Sequence, residues 1–209
     1  MMDRQDVTGL ILAGGRGSRM GGVDKGLQPF RGTPLAMHTL LRLAPQTGHL
    51  LVNANRNLAA YESFGVPVVT DAVSDFSGPL AGMLAGLQQC ETPYMVTAPC
   101  DSPLLPTDLV SRLGAALEEE EAEIAMAVTQ EPDGRTQGHP VFMLMRISVL
   151  PSLAQFLAEG ERKIAAWTGR HRTARVLFDD ANAFSNINTL DELRALEQPA
   201  AAPSGNIAS

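Results

Sequence analysis

The feature that most constrains this chain is an apolar run that empties directly into a glycine-rich, cationic loop. Val7-Thr8-Gly9-Leu10-Ile11-Leu12 reads as a buried strand. Residues 13–25 then hold five glycines, Arg16, Arg19 and Lys25 before the next helical pattern begins. Glycine lets a loop adopt positive φ and lets backbone N–H groups approach a ligand closely. Backbone donors of this loop, joined by Arg19 and Lys25, make a cradle suited to a polyphosphate at the carboxyl end of the first strand. Two common phosphate motifs do not fit. A P-loop needs Gly-Lys-Ser/Thr, whereas Lys25 lies between Asp24 and Gly26; a dinucleotide fingerprint needs a third glycine where Met20 stands.

Downstream, strand and helix patterns alternate. Thr33-Pro34 starts a helix with Met37, Leu40, Leu41 and Ala44 inward. Strands are predicted at 49–52 and 66–70, with a short helix over 58–64 between them. Gly78-Pro79 opens a helix whose stripe is Leu80, Met83, Leu84 and Leu87. A strand at 94–98 ends in Pro99-Cys100-Asp101-Ser102-Pro103, and a helix from about Pro106 turns Leu109, Leu113, Ala116 and Leu117 inward. Glu118 to Glu121 is the solvated end of that helix. Strands follow at 124–128 and 141–145, separated by an exposed loop over 130–138 with His139-Pro140 just before the second. Helices at 148–157 and 162–168, a strand at 174–178 and a capping box at Thr189 complete the pattern.

Such alternation predicts an α/β fold of three layers, a mostly parallel sheet with helices on both faces. Ligands of such sheets bind outside the carboxyl ends of the strands. The informative polar residues fall there: the glycine loop after the first strand, Asn53 after the second, Asp71 after the third and Asp101 after the fourth. Asp101, between Pro99 and Pro103, suits either Mg²⁺, which takes one or two carboxylates together with substrate phosphate oxygens, or a turn or helix cap. Asp71 and Asn53 offer hydrogen-bonding groups to a base, though either also suits a strand end or turn.

Composition narrows the partners. A net charge of −7 argues against a general nucleic-acid or membrane-surface binder, so an anionic ligand needs a local basic site. Arg162, Lys163, Arg170, Arg172 and Arg175 make the carboxyl-terminal third locally basic, either as a solvated face or as a hold on a second anionic substrate. Cys90 and Cys100 have neither metal-type spacing nor a disulfide framework. The polar start lacks a signal-peptide core, and no run reaches the roughly 20 apolar residues of a bilayer span, so a cytoplasmic protein is expected. The 209 residues suit one domain over 1–197, and the Ala/Pro/Ser/Gly-rich end, 198–209, is expected to be a disordered tail.

The run Leu12-Ala13-Gly14-Gly15 through Arg19-Met20-Gly21-Gly22-Val23-Asp24-Lys25-Gly26 resembles the signature loop of the molybdenum cofactor guanylyltransferases, the molybdopterin-guanine dinucleotide synthase family. Val52-Asn53-Ala54-Asn55-Arg56, Gly78-Pro79-Leu80-Ala81-Gly82-Met83, Pro99-Cys100-Asp101-Ser102-Pro103, Gly160-Glu161-Arg162 and Asn186-Ile187-Asn188-Thr189 extend the likeness over about residues 7–197. The resemblance implies a Rossmann-like nucleotidyltransferase fold that uses GTP and Mg²⁺. The implied reaction couples GMP to the terminal phosphate of molybdenum-molybdopterin and releases pyrophosphate. It assigns GTP binding to Leu12, Ala13, Gly14, Gly15, Lys25, Asn53, Asp71 and Asp101, with Asp101 also on the metal. Lys25, Arg19 and Asp101 become the catalytic groups, and Arg162, Asn186 and Asn188 the molybdopterin contacts, with His139 a weaker match. Cofactor-insertion proteins or molybdoenzyme chaperones are candidate further partners. A phosphate nucleophile is already ionised, so no Ser/His/Asp arrangement is expected. The rival readings are a cytidylyl- or sugar-phosphate nucleotidyltransferase and a non-catalytic cofactor carrier.

Overall fold

A computed structural model describes residues 2–14, 24–71 and 78–185. The strands are β1 (Val7–Leu12), β2 (Pro29–Phe30), β3 (Thr33–Pro34), β4 (His49–Asn53), β5 (Val68–Val69), β6 (Tyr94–Pro99), β7 (Ile124–Gln130), β8 (Thr136–Arg146) and β9 (Thr173–Phe178). The helices are α1 (Leu35–Leu43), α2 (Leu58–Glu62), α3 (Pro79–Gln89), α4 (Leu109–Glu119), α5 (Leu150–Ala158) and α6 (Ile164–Thr168). Seven strands form one sheet in the order β5-β4-β1-β6-β8-β7-β9. All run in one direction except β8, which is antiparallel to both β6 and β7.

Alternation along the strands explains the three layers. Val7 and Ile11 of β1, Val96 and Ala98 of β6, and Phe142 and Leu144 of β8 join one apolar cluster with Leu40 and Leu43 of α1, Tyr61 of α2 and Leu109, Leu113 and Leu117 of α4. Leu10, Leu12, Met95, Met143 and Met145 point to the other face. There they meet Leu80, Met83, Leu84 and Leu87 of α3, Leu153, Phe156 and Leu157 of α5, and Trp167 of α6. β1 is buried at every position, as a central strand covered on both faces must be.

Three expectations need correction. Thr33-Pro34 does not begin a helix; it forms β3 of a small hairpin with β2, turned by Arg31 and Gly32, both at positive φ. α1 consequently starts at Leu35 and buries Leu35, Ala36, Thr39, Leu40 and Leu43, while Leu41 is 59% exposed. The 36/40/43 spacing satisfies the helical period as well as the predicted stripe does, and the hairpin selects between them. The segment 130–138 is not simply a loop, because β8 starts at Thr136 and pairs with β7. Exposure of Thr136 and Gln137 removes the apolar alternation that would have marked a strand. His139 and Pro140 thus lie inside β8, at a register shift where proline has no N–H for the ladder. The third strand is shorter than expected, only Val68–Val69. The capping box at Thr189 and the tail 198–209 lie outside the described residues.

Candidate active site

β4, β1 and β6 are adjacent and parallel, so their carboxyl ends lie side by side. The Ala13 N–H donates to the Asn53 carbonyl at 2.8 Å, and the Cys100 N–H donates to the Leu12 carbonyl at 3.0 Å. These bonds tie the root of the glycine loop to both neighbouring strand ends. Asn53 is 2% exposed, and its Nδ2 donates to the Val69 carbonyl at 3.3 Å and to Asp71 Oδ1 at 2.8 Å. Both amide hydrogens are therefore spent on protein acceptors. Gly82 of α3 makes this placement possible, since a Cβ there would strike Asn53 Oδ1 and Leu12 Cδ2.

Asp71 is held from a second side. Asn55 Nδ2 donates to Asp71 Oδ2 at 2.8 Å, while the Asp71 N–H donates to Asn55 Oδ1 at 2.9 Å. Each carboxylate oxygen accepts one amide and keeps a further acceptor site. Asn55 has no assigned role in the sequence reading; its signals are its place two residues beyond Asn53 and its membership of the Val52–Arg56 run that extends the family likeness.

Lys25 opens a short 3₁₀ turn, Lys25–Leu27, which follows the loop. Its Nζ lies 3.6 Å from Asp101 Oδ2, so residues 76 positions apart in sequence meet at the ends of β1 and β6. Asp101 is 8% exposed. Burial pushes its carboxyl above the usual range, and the Lys25 ammonium partly offsets this by favouring the ionised form. Cys100 beside it is buried and free, its thiol pushed up by burial and by neighbouring carboxylates. It packs against the site as an inert neighbour rather than a nucleophile. Among the described residues no group of three or more His, Cys, Asp or Glu side chains could hold a metal. One hard carboxylate beside a phosphate-type cation suits Mg²⁺ brought in partly on a phosphate.

The remaining expected residues divide. Gly15, Arg19, Asn186 and Asn188 lie outside the described residues. Arg162 donates to the Leu157 and Glu161 carbonyls beyond the end of α5. Arg170 pairs with Glu159 at 3.0 Å and Arg172 with Glu121 at 3.6 Å. These two arginines precede β9, at the amino-end edge of the sheet, so the topology puts them opposite the carboxyl end of β1. His139 lies at the carboxyl-end edge, stacked on Phe184 with ring centroids 4.7 Å apart and 2.8 Å from Thr129 Oγ1. Burial pushes its imidazole pKa down. Nearby, a concavity of about 420 Å³ is lined by Gln130, Glu131, Leu177, Phe178 and Asp179 among others. The residues named supply two carboxylates and no cation, a poor match for phosphate.

A Ser/His/acid line does occur, contrary to expectation. Ser152 Oγ is 2.8 Å from His171 Nε2, and His171 Nδ1 is 3.1 Å from Glu123 Oε2. Glu123 and His171 precede β7 and β9, so this line lies at the amino-end edge, away from Lys25 and Asp101.

The profile of the MobA-like NTP transferase domain family matches residues 9–175. A molybdenum cofactor guanylyltransferase of Cupriavidus taiwanensis is 71% identical over 197 residues, covering 94% of this chain and 99% of the relative. One from Bordetella pertussis is 64% identical over 197 residues, covering 94% of this chain and all of the relative (100%). Among solved structures, molybdopterin-guanine dinucleotide biosynthesis protein A from Archaeoglobus fulgidus matches with a TM-score of 0.72 at 21% identity, covering 91% of this chain and 96% of that one. The 4-diphosphocytidyl-2C-methyl-D-erythritolsynthase of Anaerococcus prevotii matches with a TM-score of 0.69 at 11% identity, covering 93% and 98%. At those identities the structural likeness speaks for the fold alone. No helix among the described residues is long and apolar enough to cross a membrane. With its glycine loop, its sheet and its site residues at adjoining strand ends, the chain belongs to the MobA-like NTP transferase family, and within it to the molybdenum cofactor guanylyltransferases, which are nucleotidyltransferase enzymes.

Proposed function

We propose that this enzyme transfers GMP from GTP to the terminal phosphate of molybdenum-molybdopterin in the cytoplasm, releasing pyrophosphate. The observation that carries the reading is the Lys25–Asp101 pair, 3.6 Å apart at the strand ends beside the glycine loop. A cation for phosphate and a carboxylate for a metal are the two charges such a transfer needs.

A phosphate oxygen of molybdopterin attacks the α-phosphorus of GTP in line, and the bond to the bridging α–β oxygen breaks. Both reactants are anions, so catalysis rests on neutralisation and alignment rather than on a protein nucleophile. Lys25 exchanges Asp101 for the α/β-phosphates, Arg19 takes charge on the leaving pyrophosphate, and the backbone of Leu12, Ala13, Gly14 and Gly15 lines the remaining oxygens. Asp101 would hold Mg²⁺, which when bound supplies Lewis-acid stabilisation of phosphoryl oxygens. Asp71 accepts from the N–H edge of guanine, and Asn53 serves by holding Asp71, since its amide hydrogens are already used. Arg162, Asn186 and Asn188 contact the molybdopterin, and cofactor-insertion proteins or molybdoenzyme chaperones receive the product.

The test is pyrophosphate release with purified protein, Mg²⁺, molybdopterin and each nucleoside triphosphate in turn. Release should require both molybdopterin and GTP. Equal turnover of CTP and GTP would refute the guanine assignment. Molybdopterin binding without pyrophosphate from any nucleotide would make the protein a carrier.

A further inference from the structure

The two residues flanking Lys25 are both set by a helix that the reaction scheme does not use. Asp24 is 7% exposed and stands at the start of the 3₁₀ turn, where an aspartate ordinarily bonds the N–H groups of its own turn. It makes no such bond. Its carboxylate reaches instead to α2 and the residues leading into it. The Tyr61 hydroxyl donates to Oδ1 at 2.6 Å, Asn57 Nδ2 donates to Oδ2 at 2.9 Å, and Arg56 Nε lies 3.7 Å from the same oxygen. On the other side of Lys25, Gly26 is buried. A Cβ there would strike the Tyr61 hydroxyl and come within 3.1 Å of Cys100 Sγ.

We propose that Asp24, Asn57 and Tyr61 form a clasp that positions Lys25 for phosphoryl transfer. The proposal rests on the reading of Lys25 as the triphosphate-binding cation. One hydroxyl holds the carboxylate before Lys25 and lies against the glycine after it, so the backbone at 24–26 cannot pivot. Cys100 against Gly26 sets that backbone in register with Asp101, and the lysine side chain leaves toward the Asp101 carboxylate. Fixing the root matters because a lysine is a point charge on a flexible four-carbon stem. A buried charged cluster is a weak source of stability compared with apolar packing, which leaves geometry as what the clasp provides. Tyr61 and Asn57 are positioning residues and touch no substrate.

The test is steady-state pyrophosphate release from GTP and molybdopterin, with unfolding temperatures, for Tyr61→Phe and Asn57→Gly. Each is made in the wild-type and Lys25→Ala backgrounds. Glycine suits position 57, whose φ is +51°. Each single variant should lower kcat about tenfold with little change in the KM for GTP, and should change the residual kcat of Lys25→Ala by less than about twofold. Wild-type kcat in both folded variants would overturn the clasp, as would a loss that multiplies in full on top of Lys25→Ala. Wild-type kcat in Lys25→Ala itself is a separate result, which refutes the role of Lys25 and the clasp with it. Should Tyr61→Phe fail to fold, Asn57→Gly decides alone, by the same two readouts.

Discussion

A line of bonded polar side chains lies at each edge of the sheet, and the two are built differently. At the amino-end edge, Trp167 Nε1 donates to Ser152 Oγ at 3.3 Å, Ser152 meets His171, and His171 meets Glu123. At the carboxyl-end edge, Asn53 and Asn55 converge on Asp71, and Lys25 faces Asp101. The first line has the order of a hydrolase triad, yet its serine oxygen already accepts from a fully buried indole N–H. The second keeps capacity in reserve. Asp71 retains acceptor sites after its two amide bonds, and Lys25 and Asp101 are opposite charges that a polyphosphate and a cation can separate. A run of hydrogen bonds holds a structure together; a site needs groups with valence or charge left for a ligand.

The comparison breaks most sharply at Lys25 and Asp101. Lys25→Ala and Asp101→Ala should each lower transfer by two to four orders of magnitude, roughly 3–5 kcal/mol, in the pyrophosphate assay. Burial raises the Asp101 pKa, so the folded state disfavours the ionised form and charge there costs stability above the ordinary carboxylate range. Asp101→Asn should accordingly lose activity without lowering the unfolding temperature. Wild-type turnover in either alanine variant would return the site to a mere binding loop.

A smaller effect tests the Asp71 clamp. Asn55→Leu removes the amide at Oδ2 and the acceptor for the Asp71 N–H, leaving the carboxylate held by Asn53 alone. Preference for GTP over CTP, measured as a ratio of kcat/KM, should fall about 10- to 30-fold, the equivalent of one hydrogen bond to a charged group. An unchanged ratio would mean that Asp71 does not read the base.

The smallest catalytic effect is expected at the other edge. Ser152→Ala leaves the Trp167 N–H and the His171 ring without that partner and should cost roughly 1–2 kcal/mol, or about 3–6 °C in Tm, by thermal denaturation. Transfer activity should stay within about twofold of wild type, because the substitution touches none of the groups proposed to meet the nucleotide. A large loss of kcat at unchanged Tm would join the two edges functionally.

Much of the fold was legible because β1, β4 and β6 are largely apolar runs and α3 carries a stripe at helical spacing, patterns whose burial is nearly forced. As candidates, Asn53, Asp71 and Asp101 were legible because each lies at or just beyond the carboxyl end of a strand of one parallel set, and Lys25 because it closes the glycine loop after β1. Where two patterns satisfied the same period, as in α1, the chain offered no way to choose between them. Where a strand was exposed, as at Thr136 and Gln137, apolar periodicity could not mark it. Asn55, Asn57 and Tyr61 went unread for another reason. They act through partners 16, 33 and 37 residues away, and no local pattern records such a pairing.

By themselves the opening strand and glycine loop predicted an anionic, phosphate-bearing ligand at the carboxyl end of β1, since backbone donors and cations are local properties of a short stretch. Tertiary structure decided the rest. It set Lys25 against Asp101, turned Asn53 inward between Gly14 and Gly82, spent the carboxylate of Asp24 on α2, and placed the Ser152–His171–Glu123 line at the far edge. The division has a simple physical cause. Periodicity and backbone preference act over a few residues, whereas distance and charge act across whatever the sheet order brings together.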